Sequence, residues 1–137
     1  EIETMLTKKS GLLGVSGVSS DMREIDAAAA AGNARAQLAV DLLVHHIVHY
    51  IGAYAALLGR VDAIIFTAGI GENNITLRER VVNRLSVFGI KLDQAANNCR
   101  GQACVISTSD SAIKAMVVPT NEELMIALDT QSLLLRS

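Results

Sequence analysis

The stretch D-A-I-I-F-T-A-G-I-G-E-N, residues 62–73, decides the fold that this sequence predicts. Its first six residues are almost continuously apolar and β-branched or aromatic, which is typical of a short strand buried on both faces. A tight turn at 69–73 follows, and Asn74 or Thr76 then opens a helix that runs to Gly89. The order of strand, glycine turn and helix indicates an α/β domain.

Towards the N-terminus, the pattern predicts helices separated by one loop. Apolar residues recur at threes and fours between Asn33, the predicted cap of a long helix, and Gly59, its predicted stop. A shorter helix runs through the alanines at 27–31 and is capped by Ser20 or Asp21. The segment 10–20, which is rich in glycine and serine, is predicted to be a loop.

Towards the C-terminus, short apolar runs predict further strands at 90–92, 103–107 and 115–118, and a helix at 122–134 closes the chain. The alternation of strands and helices predicts a single α/β domain in which helices pack on a mixed sheet.

Composition excludes several classes of protein. Half of the 137 residues are hydrophobic and 19% are charged, which argues against disorder. The net charge of −2 without a run of either sign predicts no nucleic-acid or anionic-membrane partner. The longest apolar stretch is interrupted by His45, His46, His49 and Arg60, so no membrane span is predicted.

The cysteines and histidines are predicted to be structural. Cys99 and Cys104 are too few for a disulfide framework, so we expect ordinary buried thiols in a reducing compartment. His45 and His49 share a helix face, but no third ligand or general-base glutamate completes a zinc-protease pattern. Exposed or locally hydrogen-bonded histidines are expected.

The glycine turn is the strongest candidate for chemistry. Gly69 and Gly71 allow a sharp bend and the close approach of a ligand, and the next helix presents free N–H groups suited to phosphate or ribose oxygens. Glu72 and Asn73 can add polar contacts. Such turns also serve in many α/β proteins only to connect two elements.

A Rossmann dinucleotide site is an alternative, since Asp93 follows about twenty residues later. Against it, Asn74 takes the position of the third glycine, and a long helix precedes the strand.

Two further strand or loop ends carry candidate residues. At 119–123 a glutamate at the carboxyl edge of the sheet can hold Mg²⁺ directly or through water, or it can merely offset the helix dipole. At 19–23, Arg23 can clamp a phosphate or stack on a base, although the motif alone is a capped helix.

Taken together, these segments resemble the acetate kinase family, which also includes propionate and butyrate kinases. The resemblance rests on K-K-S-G-L-L-G-V-S-G-V-S-S-D-M-R (8–23), I-G-A-Y-A-A-L (51–57), D-A-I-I-F-T-A-G-I-G-E-N (62–73), F-G-I-K-L-D (88–93) and V-V-P-T-N-E-E-L-M-I-A (117–127). They run nearly the whole chain in the family's order and correspond to about the last third of a family member.

The resemblance implies a ribonuclease H-like domain of the sugar kinase, actin and chaperone superfamily. Residues 1–137 would be a C-terminal nucleotide-binding domain, without the N-terminal domain that binds the acid. By motif, the nucleotide-contacting residues would be Asp21, Met22, Arg23, Gly69, Ile70, Gly71, Glu72 and Asn73, and the magnesium ligand would be Glu122.

The same resemblance implies the reaction, ATP with acetate or a similar short-chain acid giving an acyl phosphate and ADP, in a cytoplasmic homodimer that needs Mg²⁺. The groups that would meet the transferring phosphoryl have no match here, so no catalytic residue is assigned and the fragment alone is expected to be inactive. Ala68 stands where many relatives have glycine and is expected only to stiffen the turn. A non-catalytic dimerisation module remains a further alternative.

Overall fold

The computed structural model describes residues 1–136 as helices packed on a small sheet. The seven helices are α1 (Ile2–Lys8), α2 (Gly11–Ser16), α3 (Met22–Ala30), α4 (Ala34–Leu58), α5 (Ala68–Asn73), α6 (Ile75–Arg84) and α7 (Glu122–Arg136). The strands are β1 (Ala63–Phe66), β2 (Cys104–Val105) and β3 (Lys114–Val117). Two 3₁₀ turns, Ser86–Phe88 and Ala96–Asn98, lie between α6 and β2.

The sheet brings the ends of β1 and β3 together. Its strand order is β1-β3-β2, with β1 parallel and β2 antiparallel to β3. Phe66 and Val117, the last residues of β1 and β3, are paired, and Val118 N–H donates to the Phe66 carbonyl over 3.0 Å. Since both strands run the same way, α5 and α7 begin at the same edge of the sheet.

The predicted caps of the main helices are confirmed. The Asp21 carboxylate accepts from the Arg23 N–H over 2.8 Å at the start of α3. The Asn33 amide oxygen accepts from the N–H groups of Arg35 and Ala36, each over 3.0 Å, at the start of α4. Gly59 ends α4 in the left-handed conformation, which costs glycine little.

The prediction of a loop at 10–20 is wrong, because α2 occupies its middle. Leu12 and Val15 pack against the core, and the Arg35 guanidinium of α4 donates to the carbonyls of Gly14 and Val15 over 3.0 and 2.9 Å. These contacts stabilise a short helix whose glycines and serines alone would disfavour it.

The strand predictions need two corrections. Residues 90–92 form no strand and contribute only an isolated bridge, Leu92 with Ser107. The strand β1 is not buried on both faces, since Ile65 is 57% exposed while Phe66 is buried. An apolar run indicates that a segment needs to be buried. It does not indicate whether the segment forms a strand, or which of its faces other parts of the chain cover.

The long helix α4 contributes one face to the core. Its buried residues, Ala36, Ala39, Val40 and Val44, lie on the side that meets α2, α3 and α6. Within residues 1–136, α4 is the one helix whose length and composition would also suit a membrane span, a test that core helices of soluble proteins pass as well. Its three histidines are exposed, as predicted.

The prediction of free thiols is wrong, because Cys99 and Cys104 form a disulfide. The chain turns between the second 3₁₀ turn and β2, and this reversal brings the two residues together. A pair only five residues apart gives no framework pattern in the sequence. Since disulfides are rare in reducing compartments, the cysteines no longer support the predicted location.

Candidate functional site

The start of α3 presents an arginine held by its own cap residue. Arg23 Nε donates to both carboxylate oxygens of Asp21, over 3.0 and 3.1 Å, and Nη2 donates to Oδ2. These hydrogen bonds, and then the Arg23 backbone N–H, lower the pKa of Asp21 to about 2. The pair is therefore ionised at neutral pH, with the guanidinium 90% exposed.

A cavity of about 650 Å³ joins α3 to α5. Six of the eight predicted nucleotide-contacting residues line it: Asp21, Met22, Arg23, Gly69, Ile70 and Asn73. The other lining residues are Ser20, Asp26, Asn74, Ile75, Thr76 and Arg100. Two segments that lie far apart in sequence thus meet at one cavity, as the resemblance implies.

The segment predicted as a tight turn, 69–73, lies within the short helix α5, and its two glycines serve different needs. A Cβ on Gly69 would meet nothing within 4 Å, so this residue leaves open space at the cavity. A Cβ on Gly71 would lie 3.2 Å from the carbonyl carbon of Phe66, at the end of β1. Gly71 therefore allows α5 to pack on the strand, and it does not line the cavity.

Glu72, the other predicted contact, also lies outside the cavity lining and faces the start of α7. Its Oε1 accepts from the Thr120 backbone N–H over 3.0 Å and from the Thr120 hydroxyl over 3.3 Å. This carboxylate therefore ties α5 to the segment that precedes Glu122.

Ala68 carries strain that the sequence did not reveal. Its φ is +59°, which makes it the one non-glycine residue with positive φ in the described chain. The left-handed region costs an L-residue on the order of 1–2 kcal/mol, so Ala68 does more than stiffen the turn.

We expect Ala68→Gly to raise the free energy of unfolding by about 1 kcal/mol, because glycine removes this strain. The greater conformational entropy of glycine in the unfolded state cancels only part of this gain. Urea unfolding measures the change. Ala53→Gly, at an exposed position inside α4, is the matched control and should lower stability by about 1 kcal/mol. If Ala68→Gly and Ala53→Gly lowered the free energy of unfolding equally, the proposal that Ala68 is strained would be wrong.

A second cavity, of about 430 Å³, lies at the start of α7. It is lined by Ala68, Gly69, Thr120, Asn121, Glu122 and Glu123, so Gly69 lines both cavities. The Asn121 side chain caps α7 by accepting from the Leu124 N–H over 3.0 Å. The two glutamates lie in the first turn and are exposed.

The donors around the second cavity fit Mg²⁺. They are carboxylate, amide and hydroxyl oxygens, which hard cations prefer. Residues 1–136 contain no group of three or more His, Cys, Asp or Glu side chains that would form a complete metal cage. A site with one or two carboxylates suits a cation that also binds substrate phosphates and water.

Sequence reasoning missed Arg78, which is fully buried in α6. Its Nη1 donates to the carbonyls of Gly71 and Glu72 over 2.9 and 2.8 Å. Its Nε and Nη2 donate to the Asn97 side chain and to the carbonyls of Asn97 and Cys99, over 2.7–2.9 Å. Burial lowers the pKa of Arg78, and the charge of Arg100 adds to this.

The signal for Arg78 was present in the helix pattern. Leu77, Val81, Val82 and Leu85 define the buried face, and Arg78 lies on it at spacings of three and four. An arginine on an apolar helix face either snorkels or binds fixed acceptors. Here it joins α5 to the chain around the disulfide.

Comparison with known proteins gives one consistent result. A sequence profile described as the Acetokinase family matches residues 1–128. The chain is 53% identical over 130 residues to the acetate kinase of Halothermothrix orenii, covering 95% of this chain and 33% of that protein. It therefore spans about a third of the length of the curated relatives it matches.

Solved structures agree with the sequence relatives. The crystal structure of Porphyromonas gingivalis acetate kinase matches with a TM-score of 0.89 at 49% identity, over 97% of this chain and 34% of that one. A propionate kinase from Francisella tularensis matches with a TM-score of 0.83 at 38% identity, over 92% and 32%. The likeness confirms the predicted fold class and shows that the Rossmann alternative is wrong.

Proposed function

The chain belongs to the acetokinase family, and from that premise we propose that it is the nucleotide- and metal-binding part of a short-chain carboxylate kinase. As in the prediction, residues 1–137 act as the C-terminal domain, and another domain binds the acid. ATP and ADP are the proposed ligands of the first cavity, and Mg²⁺ is the proposed ligand of Glu122 at the second. The acid is acetate or propionate, since relatives named for each are similar to this chain.

The observation that carries the proposal is the shared sheet edge. The parallel strands β1 and β3 end side by side, and the two cavities that follow them have Gly69 in common. Open α/β sheets bind ligands outside the carboxyl ends of their strands. If the nucleoside part of a nucleotide lies in the first cavity, its phosphates can thus extend past Gly69 towards Glu122.

The proposed chemistry divides between positioning and charge. Phosphoryl transfer depends on alignment and on stabilisation of charge at the transferring group. Arg23 and the open backbone at Gly69 bind and orient the nucleotide. The hydrogen bonds between Glu72 and Thr120 fix the position of α5 relative to the start of α7, and therefore of one cavity relative to the other. When bound, Mg²⁺ would neutralise charge on the phosphate oxygens.

The proposed assembly is a homodimer in the cytoplasm, where ATP is available. Its support is apolar surface that the described chain leaves exposed. In α1 this surface comprises Ile2, Met5 and Leu6; in α4 it includes Tyr50, Tyr54 and Leu57; in α7 it includes Ile126, Leu133 and Leu135. Surface of this extent marks interfaces with other protein, either the acid-binding domain or a second subunit.

Calorimetric titration with ADP, with and without Mg²⁺, tests the proposal in the full-length protein that contains this chain. Saturable ADP binding that Mg²⁺ strengthens is the expected result. Self-association without nucleotide affinity would instead favour a dimerisation module. Binding of NADH in place of ADP would overturn the assignment.

We expect Glu122→Gln to abolish the strengthening of ADP binding by Mg²⁺, because the amide keeps the shape but removes the charge that attracts the cation. The ADP dissociation constants with and without Mg²⁺ should become equal within a factor of two or so, by the coupling between the two ligands. Glu123→Gln is the matched control, since it alters the neighbouring carboxylate of the same cavity. If only Glu123→Gln loses the metal effect, the ligand is Glu123 instead.

A further inference from the structure

Arg100 is a lining residue of the first cavity that neither the motifs nor the resemblance assigned. Its side chain is exposed, and among residues 1–136 it has no hydrogen bond or salt bridge. The other charges on the lining are engaged: Arg23 with Asp21, and Asp26 with the Asn74 amide over 2.8 Å. The cavity therefore presents one uncommitted guanidinium.

The residue before Arg100 is held in place, and a disulfide closes the loop that contains Arg100. The Cys99 carbonyl accepts from buried Arg78 over 2.8 Å, and Cys99 is joined by the disulfide to Cys104, a residue of β2. The same Arg78 binds the carbonyls of Gly71 and Glu72 in α5. One buried side chain thus links the residue before Arg100 to α5, the helix that contains Gly69.

Arg100 lines the first cavity and not the second, where Glu122 lies. The Asn97 amide donates to the Ile75 carbonyl over 3.1 Å, which anchors the chain before Arg100 against the start of α6. Ile75 is among the apolar lining residues, together with Met22 and Ile70. Apolar walls with a planar cation at the rim suit the flat face of a base.

We propose that Arg100 binds the base of the nucleotide by stacking its guanidinium on the ring, and so helps to determine which nucleoside the cavity accepts. This inference rests on the proposed nucleotide site and adds to it a contact with the base. Stacking between a base and a planar side chain contributes on the order of 1–3 kcal/mol.

The test is calorimetric titration of the full-length protein and its variants with ADP and with adenosine. Arg100→Ala should weaken both ligands by about tenfold, the lower part of the range for a stacking contact. Arg100→Lys should weaken both to a similar degree, because lysine keeps the charge but lacks the planar face. Arg84→Ala, an exposed arginine in the last turn of α6 that lies outside the cavity lining, is the control and should leave both affinities unchanged.

Each outcome decides the matter. Unchanged affinities in Arg100→Ala, with wild-type ADP binding intact, overturn the role of Arg100 alone. A loss for ADP but not for adenosine, or full affinity in Arg100→Lys, shows a contact with phosphate charge and overturns the base assignment. Failure of the wild-type protein to bind ADP overturns the nucleotide site itself. Because Arg100 makes no hydrogen bond within residues 1–136, its variants should fold, and circular dichroism verifies this.

Discussion

Replacing Arg78 with methionine is expected to lower the free energy of unfolding by about 4 kcal/mol, because each buried acceptor that loses its donor costs on the order of 1–3 kcal/mol. Three buried acceptors lose their donor, the Asn97 side-chain oxygen and the carbonyls of Asn97 and Cys99. The carbonyls of Gly71 and Glu72 are only partly buried and can bind water instead. Methionine fills similar space but donates nothing. The free energy of unfolding of natural domains is about 5–15 kcal/mol, so a loss of this size is large.

Urea unfolding of Arg78→Met and Arg84→Met compares the same substitution on one helix. Arg84 is exposed, and its replacement should change stability by no more than about 0.5 kcal/mol. The free energy of unfolding of Arg78→Lys should lie between those of the wild type and Arg78→Met. An ammonium group has three donors, whereas the guanidinium uses Nε, Nη1 and Nη2 for five contacts. If Arg78→Met were as stable as Arg84→Met, the buried network would contribute nothing to the fold.

The network also predicts where stability and ligand binding are linked. Arg78 touches neither cavity, yet its hydrogen bonds fix the carbonyls of α5 and the chain next to Arg100. Arg78→Lys should therefore weaken ADP binding even at temperatures where it remains folded. Its effect acts through the position of other residues, so it is a positioning residue.

The sequence predicted the main helices well because their signals are local. Asp21 and Asn33 cap the helices that they were predicted to cap, and Gly59 ends the long one. Residues 10–20 were mistaken for a loop because α2 depends on α4, through Arg35 and the packing of Leu12 and Val15. A local pattern contains no information on such partners.

The nucleotide-binding roles of the predicted residues stay a prediction, while the structure shows which of these residues lie together. Motif resemblance indicated the residues of α3 and α5, and six of these eight line one cavity. It also named Gly71 and Glu72 as ligand contacts, whereas Gly71 packs on β1 and Glu72 binds Thr120. Arg100 and Arg78 were missed because their roles depend on a loop closed by a disulfide and on a buried helix face.

Gly71→Val is expected to weaken ADP binding at least a hundredfold, although Gly71 lies outside the cavity. A Cβ at this position would lie 3.2 Å from the Phe66 carbonyl carbon and 3.4 Å from its Cα, and valine adds two further carbons. The strand cannot yield easily, because the Phe66 carbonyl accepts from Val118 of the neighbouring chain segment. The helix α5 must move instead, and it shifts Gly69, Ile70 and Asn73 within the lining of the first cavity, the proposed nucleotide site. A misplacement of about 1 Å costs on the order of a hundredfold in reaction rate, and we expect a loss of similar size in binding.

Matched variants separate this effect from a general intolerance of valine. Gly52→Val in α4 meets nothing within 4 Å of its Cβ and should bind ADP as the wild type does. Gly71→Ala should fall between the wild type and Gly71→Val, since its single carbon already makes a close contact with Phe66. Gly69→Ala should fold normally, because its methyl group enters open space at the junction of the two cavities. A weaker ADP affinity in Gly69→Ala would then indicate that the ligand itself passes this point. Full affinity in Gly71→Val would mean that the packing of α5 on β1 does not determine the proposed nucleotide site.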